Sequence, residues 1–295
     1  MKNLRLLAMT FIALFAFAGC EKVVLDEEST TDETKAAEGN VIIRASLYNI
    51  VPFDTRAEEN IADYCSTLQF VLYQNDTKVK AVTQKKGDSG YGVVGLTLEE
   101  GTYKLLVLAH SSMGNPSVAD PTKIKFTNQD GFSDTFYYYD NLTVTAEKQS
   151  YEVRLQRATS MVRVTITDKI PSNVKSIRLW YKGESGVLDA EKGMGGTINS
   201  EQYVMHELEA GESAPITICA YTFLRADEGS LYMKITAYDK NATTIAEKEL
   251  KDIPMKHCMV TDYEGRLFSE EDAGAEDRIS FLADTEWKVY RQLTF

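Results

Sequence analysis

Short segments of alternating apolar and polar residues, each bounded by turn residues, constrain the fold of this chain more than any other feature. Val41–Leu47 is the first, and turns such as Glu99-Glu100-Gly101 separate those that follow. Before residue 158 the segments are 41–47, 68–73, 92–98, 103–109, 123–127, 142–145 and 151–155. Apolar–polar alternation predicts half-buried β-strands, and short strands between Gly, Asn and Asp turns are typical of a β-sandwich.

The same pattern begins again after residue 158. The later segments are 161–167, 176–181, 215–223, 231–238 and 245–250. Each half has about 120 residues, which is an ordinary size for one domain. We therefore expect an all-β protein with two tandem β-sandwich domains, at residues 40–157 and 158–295, and a short helical turn within residues 57–64.

A secretory signal precedes both halves. A basic start is followed by an apolar run over residues 6–18, which as a helix reaches only about 20 Å and is too short to span a membrane. Residues 1–19 are therefore predicted to be a signal peptide. Ala18 and Gly19 directly before Cys20 resemble the lipobox of bacterial lipoproteins, which predicts cleavage between Gly19 and Cys20. Cys20 would then carry acyl chains such as palmitate and hold the protein on a membrane.

Two features qualify or extend this interpretation of the N-terminus. Ala16-Phe17-Ala18 is itself a site for ordinary cleavage, which would leave Cys20 unmodified. Residues 20–39 are polar and acidic and are predicted to be a tether. Asp26-Glu27-Glu28 within it resembles the export signal that sends lipoproteins to the outer face of the outer membrane.

The charge balance limits the partners that the chain can have. Removal of residues 1–19 leaves 30 basic and 44 acidic residues. Such an acidic surface argues against nucleic acid as a partner and against peripheral binding to anionic lipid. It suits an exported domain that is attached to the membrane only at its lipidated end.

The remaining cysteines give no disulfide framework. Cys65, Cys219 and Cys258 are odd in number, so they cannot all be paired within the chain. Cys219 lies in an apolar segment and is predicted to be a buried, inert thiol. A bridge between Cys219 and Cys258 is the alternative.

No motif indicates an enzyme, a metal site or a cofactor. Residues 90–95 read G-x-G-x-x-G, but a dinucleotide site needs a preceding strand and a following helix, and a glycine-rich hairpin fits better. His110, His206 and His257 are too scattered for a metal site. We expect a protein that is not an enzyme and binds no cofactor.

One aromatic cluster could contact a glycan. Residues 136–139 read Phe-Tyr-Tyr-Tyr, and on a strand Tyr137 and Tyr139 lie on the face opposite to Phe136 and Tyr138. Sugars stack on exposed aromatic rings, so Tyr137 and Tyr139 are candidate glycan contacts. Packing between neighbouring strands explains the same residues without a ligand.

Several loose motifs, in this order and spacing, resemble one family. They are EGTYKLLVLA at 100–109, LQRA at 155–158, AYTFL at 220–224, IPMK at 253–256 and TDYEGRLF at 261–268. The sequence is similar to the fimbrillin-like superfamily of Bacteroidota, and most of all to its fimbrium-anchoring lipoprotein subunits. Cys258 stands where that family usually has Asn.

The resemblance implies both a fold and a function. The fold would be two transthyretin-like, Greek-key type β-sandwiches. The protein would be a lipid-anchored, surface-exposed subunit of the outer membrane that attaches a fimbrium, or pilus, through strand exchange with other fimbrial subunits. A surface glycan-binding or adhesive lipoprotein outside any fimbrium is the alternative, with host or bacterial glycans as its partners.

The C-terminus is the candidate donor or edge strand. Trp287, Val289, Leu293 and Phe295 fall on one face of the last segment, and this alternation predicts a half-buried strand. It is either the last strand of the second domain, which covers its own sheet edge, or a strand added to another subunit.

Overall fold

The computed structural model describes residues 38–48, 61–126, 133–197 and 201–269 and the backbone of 288–294. Within these ranges nearly all of the regular secondary structure is β-strand, which confirms the predicted all-β class. The helix α1, Ile61–Tyr64, lies inside the segment predicted to form a helical turn. No helix in these ranges has both the length and the apolar composition needed to cross a membrane.

The first half supplies eight strands. They are β1 (Val41–Leu47), β2 (Thr67–Gln74), β3 (Thr77–Lys85), β4 (Val93–Leu96), β5 (Gly101–His110), β6 (Ile124–Lys125), β7 (Thr135–Val144) and β8 (Gln149–Arg157). Seven of them form one sheet in the order β3-β2-β5-β7-β8-β1-β4. One apolar cluster packs β1 and β4 against β2 and β5. The sheet therefore folds over into two layers, a sandwich, and it bends between β7 and β8, which share only two residue pairs.

The strand β1 lies inside this sandwich. It pairs parallel with β8 along all seven residues and antiparallel with β4. Val41 and Ile43 have no exposed surface, whereas the exposed Arg44 donates a hydrogen bond to the hydroxyl of Ser150 on β8. The alternation seen in the sequence is therefore the alternation of an interior strand with one face in the core.

The second half supplies ten strands. They are β9 (Ser160–Ile166), β10 (Val174–Lys182), β11 (Val187–Asp189), β12 (Met194–Gly195), β13 (Gln202–Glu207), β14 (Ile216–Thr222), β15 (Glu228–Asp239), β16 (Thr244–Lys256), β17 (Met259–Gly265) and β18 (Lys288–Thr294). Two four-stranded sheets result, in the orders β13-β10-β15-β16 and β14-β9-β17-β18. Their inward side chains form one apolar cluster between them.

A small sheet connects the two halves. Its order is β12-β11-β6, so a strand of the first half pairs with a strand of the second. Buried residues from both halves, including Tyr73, Phe126 and Phe223, pack into one cluster beside it. A buried ion pair between Arg157 and Asp134 lies at the same junction.

Five strands of the described chain were not predicted: β3, β11, β12, β13 and β17. The edge strand β3 is largely exposed, and so it lacks a continuous apolar face. In β17, Thr261 and Asp262 are buried, but their polar atoms bond Pro254 and Arg163. In β13 most side chains are half-buried, so its polarity alternates weakly. The transthyretin-like type and the boundary at residue 157 stay predictions.

Candidate docking edge

The predicted C-terminal strand is present at the edge of a sheet. Among the described strands, the backbone of β18 pairs with β17 alone. The pairing is parallel, with Val289 opposite Val260 and Leu293 opposite Tyr263. Trp287 and Phe295 of the predicted apolar face lie outside the described residues, as do Gly19 and Cys20 of the predicted lipidation site.

Parallel pairing has a topological consequence. A strand that followed β17 through a tight hairpin would be antiparallel, whereas a parallel neighbour needs a crossover of a dozen or more residues. Residues 266–287 form that connection, since β17 ends at Gly265 and β18 begins at Lys288. The edge strand is therefore not held in register by a short turn.

The exit from β17 is fixed by one carboxylate. Asp168 accepts hydrogen bonds from the backbone N–H groups of Leu267, Phe268 and Ser269, at 3.0, 2.7 and 2.8 Å. Burial would raise the pKa of Asp168, but these donors outweigh it and the pKa is lowered. The backbone at residues 267–269, where the long connection to β18 begins, is thus held by hydrogen bonds to Asp168.

An ion pair joins β17 to its other neighbour. Asp262 is 5% exposed and receives both the Nε and, at 2.9 Å, an Nη of Arg163 on β9. A two-pronged contact of this kind fixes orientation as well as distance. The inner strand β17 is consequently secured on the side facing β9, and only its far side is covered by β18.

The aromatic strand β7 divides as the alternation predicts. Phe136 and Tyr138 pack in the core of the first sandwich, while Tyr137 and Tyr139 pack in the cluster between the halves. Tyr137 is 7% exposed, and its hydroxyl accepts a 2.7 Å hydrogen bond from Gln156. Little of its ring is therefore open to a sugar.

Tyr139 is the more accessible of the two candidate glycan contacts. Its ring is half-buried, and the Nζ atom of Lys104 lies 5.4 Å from the ring centre. Burial, together with the nearby Glu191, raises the pKa of the phenol to about 12. The hydroxyl therefore stays protonated at ordinary pH, and it donates a hydrogen bond to Glu191 at 3.4 Å.

The cysteines of the described chain are unpaired. Cys65, Cys219 and Cys258 are free thiols, so the alternative of a Cys219–Cys258 bridge is not observed. Cys258 adopts a left-handed backbone with φ of 56° in the β16–β17 turn. Asn tolerates this conformation better than most residues, which explains physically why Asn suits the position.

A second aromatic surface was not singled out from the sequence. On the outer face of β13-β10-β15-β16, the rings of Trp180 and Tyr232 lie 5.9 Å apart at 78°. The Nζ atom of Lys182 is 5.4 Å from the first ring and 5.5 Å from the second. The aromatic and cationic residues sit at alternate positions of β10, which is the signal that could have revealed this face.

The described residues contain no group of His, Cys, Asp and Glu arranged to hold a metal ion. The G-x-G-x-x-G segment is a turn into β4, with positive φ at Gly90 and Gly92 and with the side-chain amide of Gln84 bonded to its backbone. This geometry agrees with the predicted glycine-rich hairpin.

Solved structures with a similar fold include fimbrial proteins, as the resemblance in the sequence predicts. The fimbrial anchor protein Mfa2 from Porphyromonas gingivalis is 14% identical over 72% of this chain and 81% of its own, with a TM-score of 0.39. The tip fimbrial protein Mfa3 from the same organism is 13% identical over 72% and 81%, with a TM-score of 0.37.

A candidate adhesin from Bacteroides ovatus is also similar. It is 12% identical over 70% of this chain and 75% of its own, with a TM-score of 0.46. None of the curated proteins matches the chain. The likenesses to these structures assign neither activity nor partner.

The sequence profile of one family covers most of the chain. It matches residues 31–282, from within the predicted tether to beyond β17. The chain therefore belongs to the family described as a family of unknown function, DUF6562.

Proposed function

We propose that this protein is an outer-membrane lipoprotein subunit that anchors a fimbrium to the cell surface through strand exchange. The observation that carries the proposal is β18, a C-terminal edge strand that pairs on one side only and follows a long crossover. The predicted lipid on Cys20 would hold the opposite end of the chain at the membrane.

An edge strand of this kind suits exchange between subunits. Seven residues of β18 offer a full row of backbone donors and acceptors, which supply affinity in strand addition, while alternate side chains supply specificity. Because the connection 266–287 is long and β17 is secured on its other side by Arg163, β18 can be replaced without loss of the inner strands.

The retained N-terminus distinguishes an anchor from a subunit matured by proteolysis. An anchor that keeps its lipid must also keep β1, whose Val41 and Ile43 are fully buried in the first sandwich. We expect one continuous mature chain from Cys20 to Phe295. A membrane-bound form whose N-terminus lies beyond Arg44 would contradict the proposal.

Removal of the C-terminal strand tests strand exchange. Deletion of residues 286–295 should detach the fimbrium while the melting temperature of the purified protein stays unchanged. A strongly lowered melting temperature would instead assign the strand to its own domain, because a docked strand that is removed exposes the apolar edge it covered.

Lipidation is tested separately. The Cys20→Ala variant should leave the membrane fraction, and intact-mass measurement of the membrane-bound wild type should find acyl chains on Cys20. A mature N-terminus at Gly19 without acyl mass would refute the lipid anchor and leave strand exchange to be judged by the deletion.

The second candidate function is a surface glycan-binding lipoprotein outside a fimbrium. The observation that favours it is the half-buried ring of Tyr139 beneath Lys104. A polysaccharide panel probed with the purified protein, set against co-purification with fimbrial subunits, separates the two functions.

A further inference from the structure

We propose that the outer face of the sheet β13-β10-β15-β16 binds an acidic carbohydrate. We call it the Trp180 face and define it by Trp180, Tyr203, Tyr232, Arg178 and Lys182. The proposal goes beyond the anchoring of a fimbrium and does not rest on it. It also concerns a surface other than the one that carries Tyr139.

Strand register brings these side chains to one side of the sheet. Along β10, the intervening Leu179 and Tyr181 are fully buried in the core, so Arg178, Trp180 and Lys182 point outward. Trp180 is opposite Tyr203 on β13, and Lys182 is opposite Tyr232 on β15. Neighbouring strands are about 5 Å apart, so the residues form one continuous surface.

The aromatic part of this surface is accessible and has a defined geometry. Trp180, Tyr203 and Tyr232 are each half-buried, and Trp180 meets Tyr232 in an edge-to-face contact at 5.9 Å. Aromatic side chains combine a large apolar area with few rotatable bonds. The C–H face of a sugar ring packs on such rings, while the sugar hydroxyls point to polar neighbours.

The cations of the Trp180 face have no carboxylate partner in the described part of the chain. Both side chains lie over aromatic rings: Arg178 is 5.1 Å from the ring centre of Tyr238, and Lys182 is 5.4 Å from that of Trp180. Lys234 on the neighbouring strand, by contrast, is paired with Glu247 at 2.9 Å. Two cations on one face of the sheet, neither of them paired with a carboxylate among the described residues, favour an anionic ligand.

A second copy of the chain fits the Trp180 face less well. In a symmetric dimer formed through this face, both copies would contribute the same patch. The cations Arg178 and Lys182 of one copy would then face those of the other and repel them. An acidic saccharide presents sugar rings to the aromatic residues and carboxylates to the cations.

The test uses the full mature chain with Cys20→Ala, which leaves every described residue in place. Isothermal titration calorimetry compares an oligogalacturonate with its methyl ester, which has the same rings but no charge. We expect the acid to bind and the ester to bind at least about ten-fold more weakly. Trp180→Ala and Lys182→Ala should each weaken binding of the acid by about ten-fold or more.

A control variant distinguishes binding at the Trp180 face from nonspecific attraction between the ligand and any lysine. Lys86→Ala removes an exposed lysine that lies in the first half of the chain, in the turn after β3. It should leave the affinity unchanged, and each variant should keep the melting temperature of its parent within a few degrees.

Three results would overturn the proposal. The first is no binding of the oligogalacturonate to the parent protein. The second is an equal loss of affinity in Lys86→Ala and Lys182→Ala. The third is self-association in sedimentation that Trp180→Ala abolishes, which would assign the face to a second copy of the chain.

Discussion

Removing one member of the buried ion pair at the junction should strongly destabilise the protein. The side chains of Arg157 and Asp134 are 6% and 16% exposed. The Nε atom of Arg157 lies 3.0 Å from both carboxylate oxygens, and an Nη atom lies 2.8 Å from one of them. Thr159 also donates to the carboxylate at 2.8 Å. In Arg157→Met, this carboxylate stays buried without its counter-charge.

The expected magnitude follows from burial. Breaking a buried pair costs about 3–5 kcal/mol, because a charge is left uncompensated. Asp134 keeps Thr159 and a little solvent, so we expect about 3 kcal/mol for Arg157→Met. The double variant with Asp134→Asn should recover more than half of this loss, since it leaves no buried charge.

The loss should also depend on pH. Burial raises the pKa of Asp134, and Arg157 opposes that rise, so the pKa rises further in Arg157→Met. A carboxyl whose pKa is higher in the folded state contributes stability below its unfolded pKa and loses it as pH rises through its folded pKa. The deficit of Arg157→Met should therefore be larger at about pH 8 than at about pH 5.

Urea unfolding of wild type, both single variants and the double variant measures these quantities. The exposed pair of Lys123 and Asp120, 3.3 Å apart, supplies a control: Lys123→Met should change the free energy of unfolding by less than about 1 kcal/mol. A cost for Arg157→Met that is equally small and independent of pH would refute the reasoning.

Three further outcomes follow from local geometry. Cys258→Asn should keep the stability of the wild type, because Asn accepts a φ of 56° and can replace the thiol as hydrogen-bond donor to the carbonyl of Arg157. Cys258→Val should lower the free energy of unfolding, measured in urea, by about 1–3 kcal/mol. Gly183→Ala should lose a similar amount, because its φ is 127° and a Cβ would lie 2.6 Å from the carbonyl oxygen of Ser230. Burial raises the pKa values of Cys65 and Cys258 to about 12. Both thiols should therefore resist iodoacetamide at neutral pH until urea unfolds the chain. Rapid labelling of these two cysteines in the native protein would contradict their burial.

The positions of strands are predicted best from the sequence where a strand has one apolar face. The limits of β1 agree with its alternation, because Val41, Ile43 and Leu47 face the core. This prediction fails at β17, because the polar residues Thr261 and Asp262 are buried there and interrupt the apolar pattern. Their partners are backbone and side-chain atoms on other strands, and such long-range contacts leave no local pattern.

The same limit applies to the candidate sites. Alternation correctly predicts that Tyr137 and Tyr139 share a face of β7, but the burial of Tyr137 depends on packing against the second half. The C-terminal alternation predicts a strand, whereas its parallel pairing with β17 follows from the crossover. Arg178, Trp180 and Lys182 alternate along β10 and gave a local signal for the Trp180 face, but Tyr203 and Tyr232 lie on two other strands and meet Trp180 only through the strand register.

The most direct test of the anchoring proposal compares cells that carry wild type with cells that carry Cys20→Ala. Fimbrial subunits that co-purify with the chain are followed by immunoblot in the cell-bound and medium fractions. The account predicts that in Cys20→Ala these subunits move to the medium together with the chain. Fimbrial subunits that stay on the cells while the chain alone is released would contradict it.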